Sequence, residues 1–164
     1  MIHREVKTRL QEVTFLVDYL IRLKVRQAKL FYGLNRNIEF LTKASEEIDK
    51  EAKQLYPELF DIEDKAVKLV QPLNEAIEKE NAELAEKEKE FTEKTAPKSL
   101  LTLSDGLAKL SEADQAKHTE LMVEYNKLLD LEDDVKTYTL KSEVLDNLEL
   151  DFWAVRVLSQ FIEE

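Results

Sequence analysis

Five basic residues recur at intervals of seven along the first third of the chain, and they are the side chains best suited to binding chemistry. They are Arg22, Lys29, Arg36, Lys43 and Lys50. On one continuous helix this spacing lines them along a single outward stripe about 40 Å long, here called the basic stripe. Its cations would bind phosphates or an acidic protein partner. The alternative interpretation is solubility alone, because the outermost positions of helical bundles favour Lys and Arg.

Residues that support catalysis or hold a metal ion form no recognisable set. The two histidines, His3 and His118, lie outside the Glu-x-x-His and His-Glu-x-x-His patterns of metal sites in helical proteins. The acidic run at 130–134 lacks the glycine and closing glutamate of a calcium loop. Catalytic carboxylate pairs remain open among 35 Asp and Glu residues, but nothing selects a pair. We therefore predict no enzyme activity, no catalytic or metal residues and no cofactor.

Composition indicates a helical protein with an uneven charge distribution. The 164 residues include 2 Gly and 3 Pro, with 43% hydrophobic and 36% charged residues, which is typical of long amphipathic helices. The net charge is −11, yet residues 1–43 carry nine basic against four acidic side chains, a net of +5, which leaves −16 for the remainder. This division favours either charge pairing within the chain or separate surfaces for two partners.

Targeting signals are not recognisable, so we expect a cytoplasmic protein without membrane contact. The charged start lacks the apolar stretch of a secretory signal, and no apolar run reaches the roughly 18 residues of a membrane span. The absence of cysteine fits a reducing compartment.

An apolar repeat with alternating steps of three and four, from Val6 to Leu55, predicts one long helix over residues 1–56 that would position the basic stripe. Lys24, Gln27 and Ser45 are its polar members. Either the helix drifts from the seven-residue repeat and leaves Lys24 at the edge, or Lys24 and Gln27 form a buried polar layer that sets the register. Gly33 permits a kink or a turn, but the repeat stays in phase through it, which favours a continuous helix.

The remaining segments complete an all-α fold in a single domain, residues 1–164, with the long helix forming a coiled-coil-like hairpin or bundle. Pro57 ends the first helix, and Pro72 either kinks the next helix or opens a new one. Alternating residues at 135–140 predict a short β segment without an identified partner. The predicted elements are a second helical arm at 58–95, a loop at 96–110, a helix at 111–130, and an extended segment with a terminal helix capped by Asp151 at 131–164.

Two stretches resemble small helical proteins of bacteriophages and prophages that have no assigned function. The first is Arg26-Gln27-Ala28-Lys29-Leu30-Phe31-Tyr32-Gly33-Leu34-Asn35-Arg36-Asn37-Ile38, and the second is Leu145-Asp146-Asn147-Leu148-Glu149-Leu150. Together they cover about an eighth of the chain. The resemblance implies a viral or mobile-element context, and hence the cytoplasm of a host cell. It carries over no functional residue.

Three functions are consistent with these features. We favour a non-enzymatic helical protein–protein interaction or scaffold protein with an unidentified protein partner, because residues 5–32 have a wide apolar face. The same reasoning predicts a homo-oligomer through the apolar face of residues 5–56. The alternatives are an acidic inhibitor that occupies the basic nucleic-acid-binding site of a host defence protein, and nucleic-acid binding through the Arg22–Lys50 stripe. The net charge disfavours the last.

Overall fold

Helices make up most of the regular structure. The computed structural model describes residues 1–90 and 96–163, without the side chains of residues 88–90. Within those residues it contains six α-helices, one short 3-10 helix and isolated β-bridges instead of strands, which confirms the predicted all-α fold. The helices are α1 His3–Arg22, α2 Ala28–Leu55, α3 Pro57–Glu90, α4 Leu103–Ala108, α5 Glu112–Leu129 and α6 Phe152–Ser159, with the 3-10 helix at Ser142–Leu145.

The single long helix predicted for the first 56 residues is wrong, because the chain turns between α1 and α2. Lys24 has a left-handed backbone with φ of 57°, and its N–H donates to the Ile21 carbonyl at 3.0 Å. The Val25 N–H donates to the Leu20 carbonyl at 3.1 Å. These two bonds form the Schellman motif that closes many helix C-termini. The apolar repeat continues beyond the turn, but on a second helix.

Lys24 and Gln27 interrupt the apolar repeat because they belong to this turn, so neither helix drift nor a buried polar layer accounts for them. The Lys24 side chain is exposed. The Gln27 carbonyl accepts from the Phe31 N–H at 3.1 Å, near the start of α2. The Gln27 side-chain amide donates to the Asp146 carbonyl at 3.3 Å, which ties the turn to the C-terminal part of the chain.

Helix α2 runs through Gly33 without a break, as the phase of the apolar repeat predicted. Gly33 is needed for close approach: a Cβ there would overlap the Leu140 side chain and lie 3.3 Å from the Tyr138 ring. One turn later, the fully buried Asn37 side chain holds the same segment. Its Nδ2 donates to the Tyr138 carbonyl at 2.9 Å, and its Oδ1 accepts from the Tyr138 N–H at 2.6 Å.

The β segment predicted at 135–140 is extended but forms no strand. The Leu140 N–H donates to the Phe161 carbonyl at 2.6 Å, and the Leu140 carbonyl accepts from the Glu163 N–H at 2.9 Å. These bonds make one isolated parallel bridge between Leu140 and Ile162. Two parts of the chain therefore bond this segment in place of a partner strand. They are the Asn37 side-chain amide on α2 and the backbone that follows α6.

Met1–Ala52 and Asn126–Glu164 form the first of two compact units. Leu20, Leu34 and Leu41 from the apolar repeat are fully buried within this one chain. They belong to a core that includes residues from α6 and the chain after it, namely Ala154, Val157, Leu158 and Phe161. The homo-oligomer predicted through the apolar face of residues 5–56 loses its basis at these positions, because the chain covers them itself.

Lys53–Tyr125 forms the second compact unit, built on α3. Its buried apolar residues recur at helical spacing along one face of α3, at Leu59, Ile62, Ala66 and Val70. Helix α4 lies close against this face, since a Cβ on Gly106 would come within 2.5 Å of the Ala66 carbonyl oxygen. Glycine is therefore required in α4 for backbone-to-backbone packing.

Helix α5 runs antiparallel to the first half of α3. Near the end of α5, the Tyr125 ring meets Tyr56 and Phe60 edge to face, with ring centres 6.5 and 6.3 Å apart. Earlier in α5, His118 Nε2 lies 3.1 Å from a Glu63 carboxylate oxygen. The predicted helix at 111–130 is confirmed by this element.

Two asparagines on α3 hold the chain that leads into α4. Asn74 bonds the N–H and carbonyl of Leu101 at 2.7 and 3.0 Å. Asn81 bonds the N–H and carbonyl of Lys98 at 2.8 and 2.9 Å. Seven helical residues and three extended residues both span about 10 Å, so residues 98–101 run antiparallel along α3.

In the second half of the chain the structure decides between the two alternatives for Pro72 and corrects the predicted loop. Pro72 lies inside α3 and opens no new helix, while residues 91–95 of the predicted second arm lie outside the described residues. Part of the loop predicted at 96–110 is helical, because Thr102 and Asp105 form a reciprocal capping box that starts α4.

Candidate interaction surfaces

The basic stripe is divided between two helices. Arg22 ends α1, whereas Lys29, Arg36, Lys43 and Lys50 lie along α2. The left-handed turn at Lys24 separates Arg22 from the other four, which span roughly 30 Å of helix. The continuous 40 Å line of five cations is therefore wrong, although the α2 part of the stripe keeps its spacing.

Arg36 already has partners within its own helix. Its guanidinium pairs with the Glu39 carboxylate at 2.6 Å and lies 5.0 Å from the centre of the Phe40 ring. The Lys136 ammonium lies 5.1 Å from the same ring. The middle of the α2 stripe is thus committed to local ion-pair and cation–π contacts, which reduces what it offers to a ligand.

Lys29 lines an open cleft of about 820 Å³ in the first unit. The Tyr32 and Tyr138 rings form its aromatic wall, edge to face with centres 5.6 Å apart. Its charged lining is balanced, with Lys29 and Lys141 against Glu143 and Glu163. The cleft offers aromatic surface without a net charge to select a ligand.

Lys43 lines a second cleft in the same unit, of about 470 Å³. The side chains around it are mostly acidic, with Glu47, Glu51, Asp133 and Asp134 against Lys43 and Lys136. His3 also lines this cleft. It is buried, its Nε2 lies 3.8 Å from the Asp133 carboxylate, and its Nδ1 has no hydrogen-bond partner among the described residues.

The turn between α1 and α2 carries four exposed cations that pair with no carboxylate among the described residues. We call Ile21–Lys29 the basic turn. It contains Arg22, Lys24, Arg26 and Lys29, all exposed, and no acidic residue. Sequence reasoning missed this group because it treated Arg22 and Lys29 as steps of a rod, although four cations in nine residues without an acid were visible.

One aromatic pair joins α1 and α6, and each of these helices also carries an exposed phenylalanine. Tyr19 and Trp153 meet edge to face, with ring centres 6.2 Å apart. Phe15 lies one turn before Tyr19 and is 55% exposed, and Phe152 precedes Trp153 and is 85% exposed. We call Phe15, Tyr19, Phe152 and Trp153 the aromatic surface. Sequence reasoning placed large apolar groups on the terminal helix but did not anticipate that Phe152 would face outward.

Side chains with catalytic or metal-binding chemistry do not converge in the part of the chain that the structure describes. No group of three or more His, Cys, Asp or Glu residues there has the geometry to hold a metal ion. The His118–Glu63 pair is a contact between α5 and α3 with no nucleophile among its recorded hydrogen bonds. Within the same described ranges, none of the helices combines the length and apolar character needed to span a membrane.

Comparison with known proteins returns no match to a family model, a curated protein or a solved structure. The resemblance to bacteriophage proteins therefore stays a prediction.

Proposed function

We propose that this chain is a non-enzymatic helical protein–protein interaction protein that binds its partner through the aromatic surface. The observation that carries this proposal is the exposure of two large aromatic side chains, Phe152 at 85% on α6 and Phe15 at 55% on α1. Large aromatic side chains lose favourable burial when they face water, and aromatic residues are enriched at the energetic centres of protein interfaces. A partner that covers both rings would recover this burial.

The helices under the aromatic surface are held in place by specific bonds, which favours binding without rearrangement. Arg156 and Gln160 of α6 each donate to the Glu12 carboxylate on α1 at 3.2 Å. Asp151 caps α6 by accepting from the Ala154 N–H at 2.8 Å. Because α1 and α6 are joined by these bonds and by the Tyr19–Trp153 contact, the helices that carry the exposed rings are held in place before a partner binds.

The test is affinity capture followed by a direct binding measurement with the captured partner. The double variant Phe15→Ser/Phe152→Ser removes the exposed rings without touching the buried core. We expect it to lose the partner that the wild type retains. The matched control, Leu69→Ser/Val123→Ser, changes two exposed apolar residues of the second unit and should bind as the wild type does.

Identical partners and affinities for the wild type and the Phe15/Phe152 variant would contradict the proposal. Circular dichroism of both variants checks that the helices are intact, so that a loss of binding reports on the surface. An enzymatic turnover assigned to the chain would contradict the non-enzymatic part of the proposal.

A second candidate is the acidic inhibitor of a basic nucleic-acid-binding site. Its support is the charge of the second unit, where residues 53–125 carry ten Lys and Arg against seventeen Asp and Glu, a net of −7. Binding of this kind should weaken steeply as salt rises, whereas binding through the aromatic surface should change little. Nucleic-acid binding through the Arg22–Lys50 stripe is disfavoured, because Arg22 lies on a different helix and Arg36 is paired with Glu39.

A further inference from the structure

The basic turn combines charge, apolar exposure and an unusual backbone in nine residues. Its four cations form no ion pair with any described residue, although the chain as a whole carries −11. Ile21 and Leu23, which alternate with these cations, are 58% and 47% exposed. We infer that the basic turn is a second binding site, separate from the aromatic surface, for an acidic segment of a partner protein that also carries apolar residues.

The backbone at Lys24 adopts a left-handed conformation that lysine seldom takes. The residue at this position of a Schellman motif is usually glycine, because a left-handed φ is strained for a residue with a Cβ. Lys24 adopts φ of 57° there. Non-glycine residues in this conformation cluster at functional sites, where a side chain is kept despite its conformational cost. At this position the lysine side chain adds a positive charge to the basic turn.

Lys29 lies where a positive charge is electrostatically unfavourable. It lies in the first turn of α2, where the helix dipole favours acidic residues, and that turn contains none. The side-chain amide of Gln27, just before α2, donates to the Asp146 carbonyl. The dipole of α1 explains Arg22 and Lys24 at its C-terminal end, but the dipole of α2 opposes Lys29. Helix stability alone therefore does not account for the charge of the turn.

Acidic side chains near the turn leave its four cations unneutralised. Asp18 lies one turn before Arg22 on α1 and is exposed, without an ion pair to it among the described residues. Glu143 and Glu163 share the larger cleft with Lys29, without an ion pair to it. A partner carboxylate would therefore meet available cations.

Charge distribution favours a protein segment over a nucleic acid or a membrane as the occupant. Outside the basic turn the first unit carries a net −8, since residues 1–52 and 126–164 total −4 and the turn contributes +4. A duplex or an anionic bilayer presents its charge over an extended area, which the remaining charge of this unit would repel. At physiological salt, charges more than about 8 Å apart are largely screened, so a short acidic segment sees mainly the turn. Ile21 and Leu23 would also find apolar side chains on a protein segment.

The test is fluorescence anisotropy with a labelled peptide of repeating Glu-Leu-Asp units. We expect the wild type to bind it at about 50 mM salt and to bind more weakly at about 300 mM. Arg22→Glu/Lys24→Glu/Arg26→Glu should weaken binding at least roughly tenfold. The matched control Lys68→Glu/Lys79→Glu/Lys87→Glu makes the same change in net charge on exposed positions of α3 and should bind within about twofold of the wild type.

Lys24→Gly separates folding from binding. Glycine relieves the left-handed strain, so the Tm should rise, while the loss of one cation should weaken peptide binding. A repeating Lys-Leu-Ser peptide should bind the wild type no more tightly than it binds the Arg22→Glu/Lys24→Glu/Arg26→Glu variant. The Phe15→Ser/Phe152→Ser variant should keep the acidic peptide, so failure of this inference is distinguishable from failure of the proposed function.

Three results would overturn the inference. The first is no detectable binding of the acidic peptide to the folded wild type. The second is an equal loss in the turn variant and the α3 control, which would show an effect of net charge alone. The third is turn-dependent binding of a DNA duplex, or of vesicles rich in phosphatidylserine, that is tighter than binding of the peptide.

Discussion

At the scale of single residues, three asparagines replace the β-strand partners that the extended segments lack. Asn37 holds Tyr138, Asn74 holds Leu101, and each side-chain amide pairs with both the N–H and the carbonyl of one residue. Asn81 does the same for Lys98. A primary amide suits this role because it offers a donor and an acceptor on the same side, as an extended peptide does.

Replacing Asn37 with alanine should lower the free energy of unfolding by about 2 kcal/mol or more, because both hydrogen bonds to Tyr138 are lost in a buried place. The matched control is Asn35→Ala on an exposed position of the same helix, which should change stability by less than about 0.5 kcal/mol. Urea denaturation followed by circular dichroism measures both. Equal stability of the two variants would show that the Asn37 amide is not what holds the segment.

The Asp105 carboxylate offers a pH-dependent test of the α4 cap. Its pKa is lowered from the ordinary value by hydrogen bonds from the Thr102 backbone N–H and hydroxyl, with a smaller contribution from Lys109. A lowered folded-state pKa means that the cap contributes stability above the unfolded-state pKa, and that this contribution is lost as the pH falls through the folded-state pKa.

Thr102→Ala removes the hydroxyl donor, so the pKa of Asp105 should move back toward its ordinary value while the backbone N–H keeps part of the shift. Carboxyl chemical shifts followed by NMR across acidic pH measure this change. Ser104→Ala removes a neighbouring exposed hydroxyl and should leave the titration of Asp105 unchanged. An unmoved titration in Thr102→Ala would mean that the hydroxyl bond is absent in solution.

At the scale of elements, replacing Gly33 should change the stability in the direction opposite to that usual for a glycine inside a helix. Changing a glycine inside a helix to alanine normally stabilises a protein by roughly 0.5–1 kcal/mol. Here we expect Gly33→Ala to destabilise by about 1–3 kcal/mol, because the added methyl meets the buried Leu140 side chain. Ser45→Ala, on the same helix, should be neutral or slightly stabilising. Thermal unfolding decides the sign, and a higher Tm for Gly33→Ala would contradict the close approach of the extended segment.

Much of the element pattern was predictable, because local chemistry agrees with the fold there. Asp151 caps α6, and Ser111 caps α5 by accepting from the Asp114 N–H at 3.2 Å. The break between α1 and α2 was not predictable from the same rules, since Lys24 stands where glycine is usual and the apolar repeat continues in the next helix. Gly33 drew attention as the site of a kink, but the reason for it is a segment more than a hundred residues away.

The candidate surfaces were predictable only in part. Spacing identified Lys29, Lys43 and Lys50 as exposed cations on one helix, and they are exposed. The basic turn and the aromatic surface were not identified, because both depend on where a helix ends and on which residues another helix covers. Exposure of Phe152 follows from the docking direction of α6, which no local pattern in the sequence encodes.

At the scale of the whole molecule, the chain uses its C-terminal part to complete the unit that its N-terminal part begins. Within Met1–Ala52 and Asn126–Glu164, Arg4 pairs with Asp130 at 3.2 Å, and the Asp133 N–H donates to the Met1 carbonyl at 2.9 Å. Charge pairing within the chain, one of the two readings of its uneven charge, is therefore present at the N-terminal end. The cations of the basic turn form no such pair with the described residues, which is consistent with the other interpretation, a surface for a partner.

The folding of α1 back on α2 underlies both the buried core of the first unit and the basic turn, and one distance tests it. The chain has no cysteine, so the double variant Thr8→Cys/Lys50→Cys carries spin labels at those two positions alone. Both positions are next to the Lys7–Asp49 ion pair, which joins α1 to α2. Pulsed electron paramagnetic resonance should give a distance below about 25 Å, as expected for packed antiparallel helices. A distance near 60 Å, which a continuous helix of the same residues would span, would contradict the account.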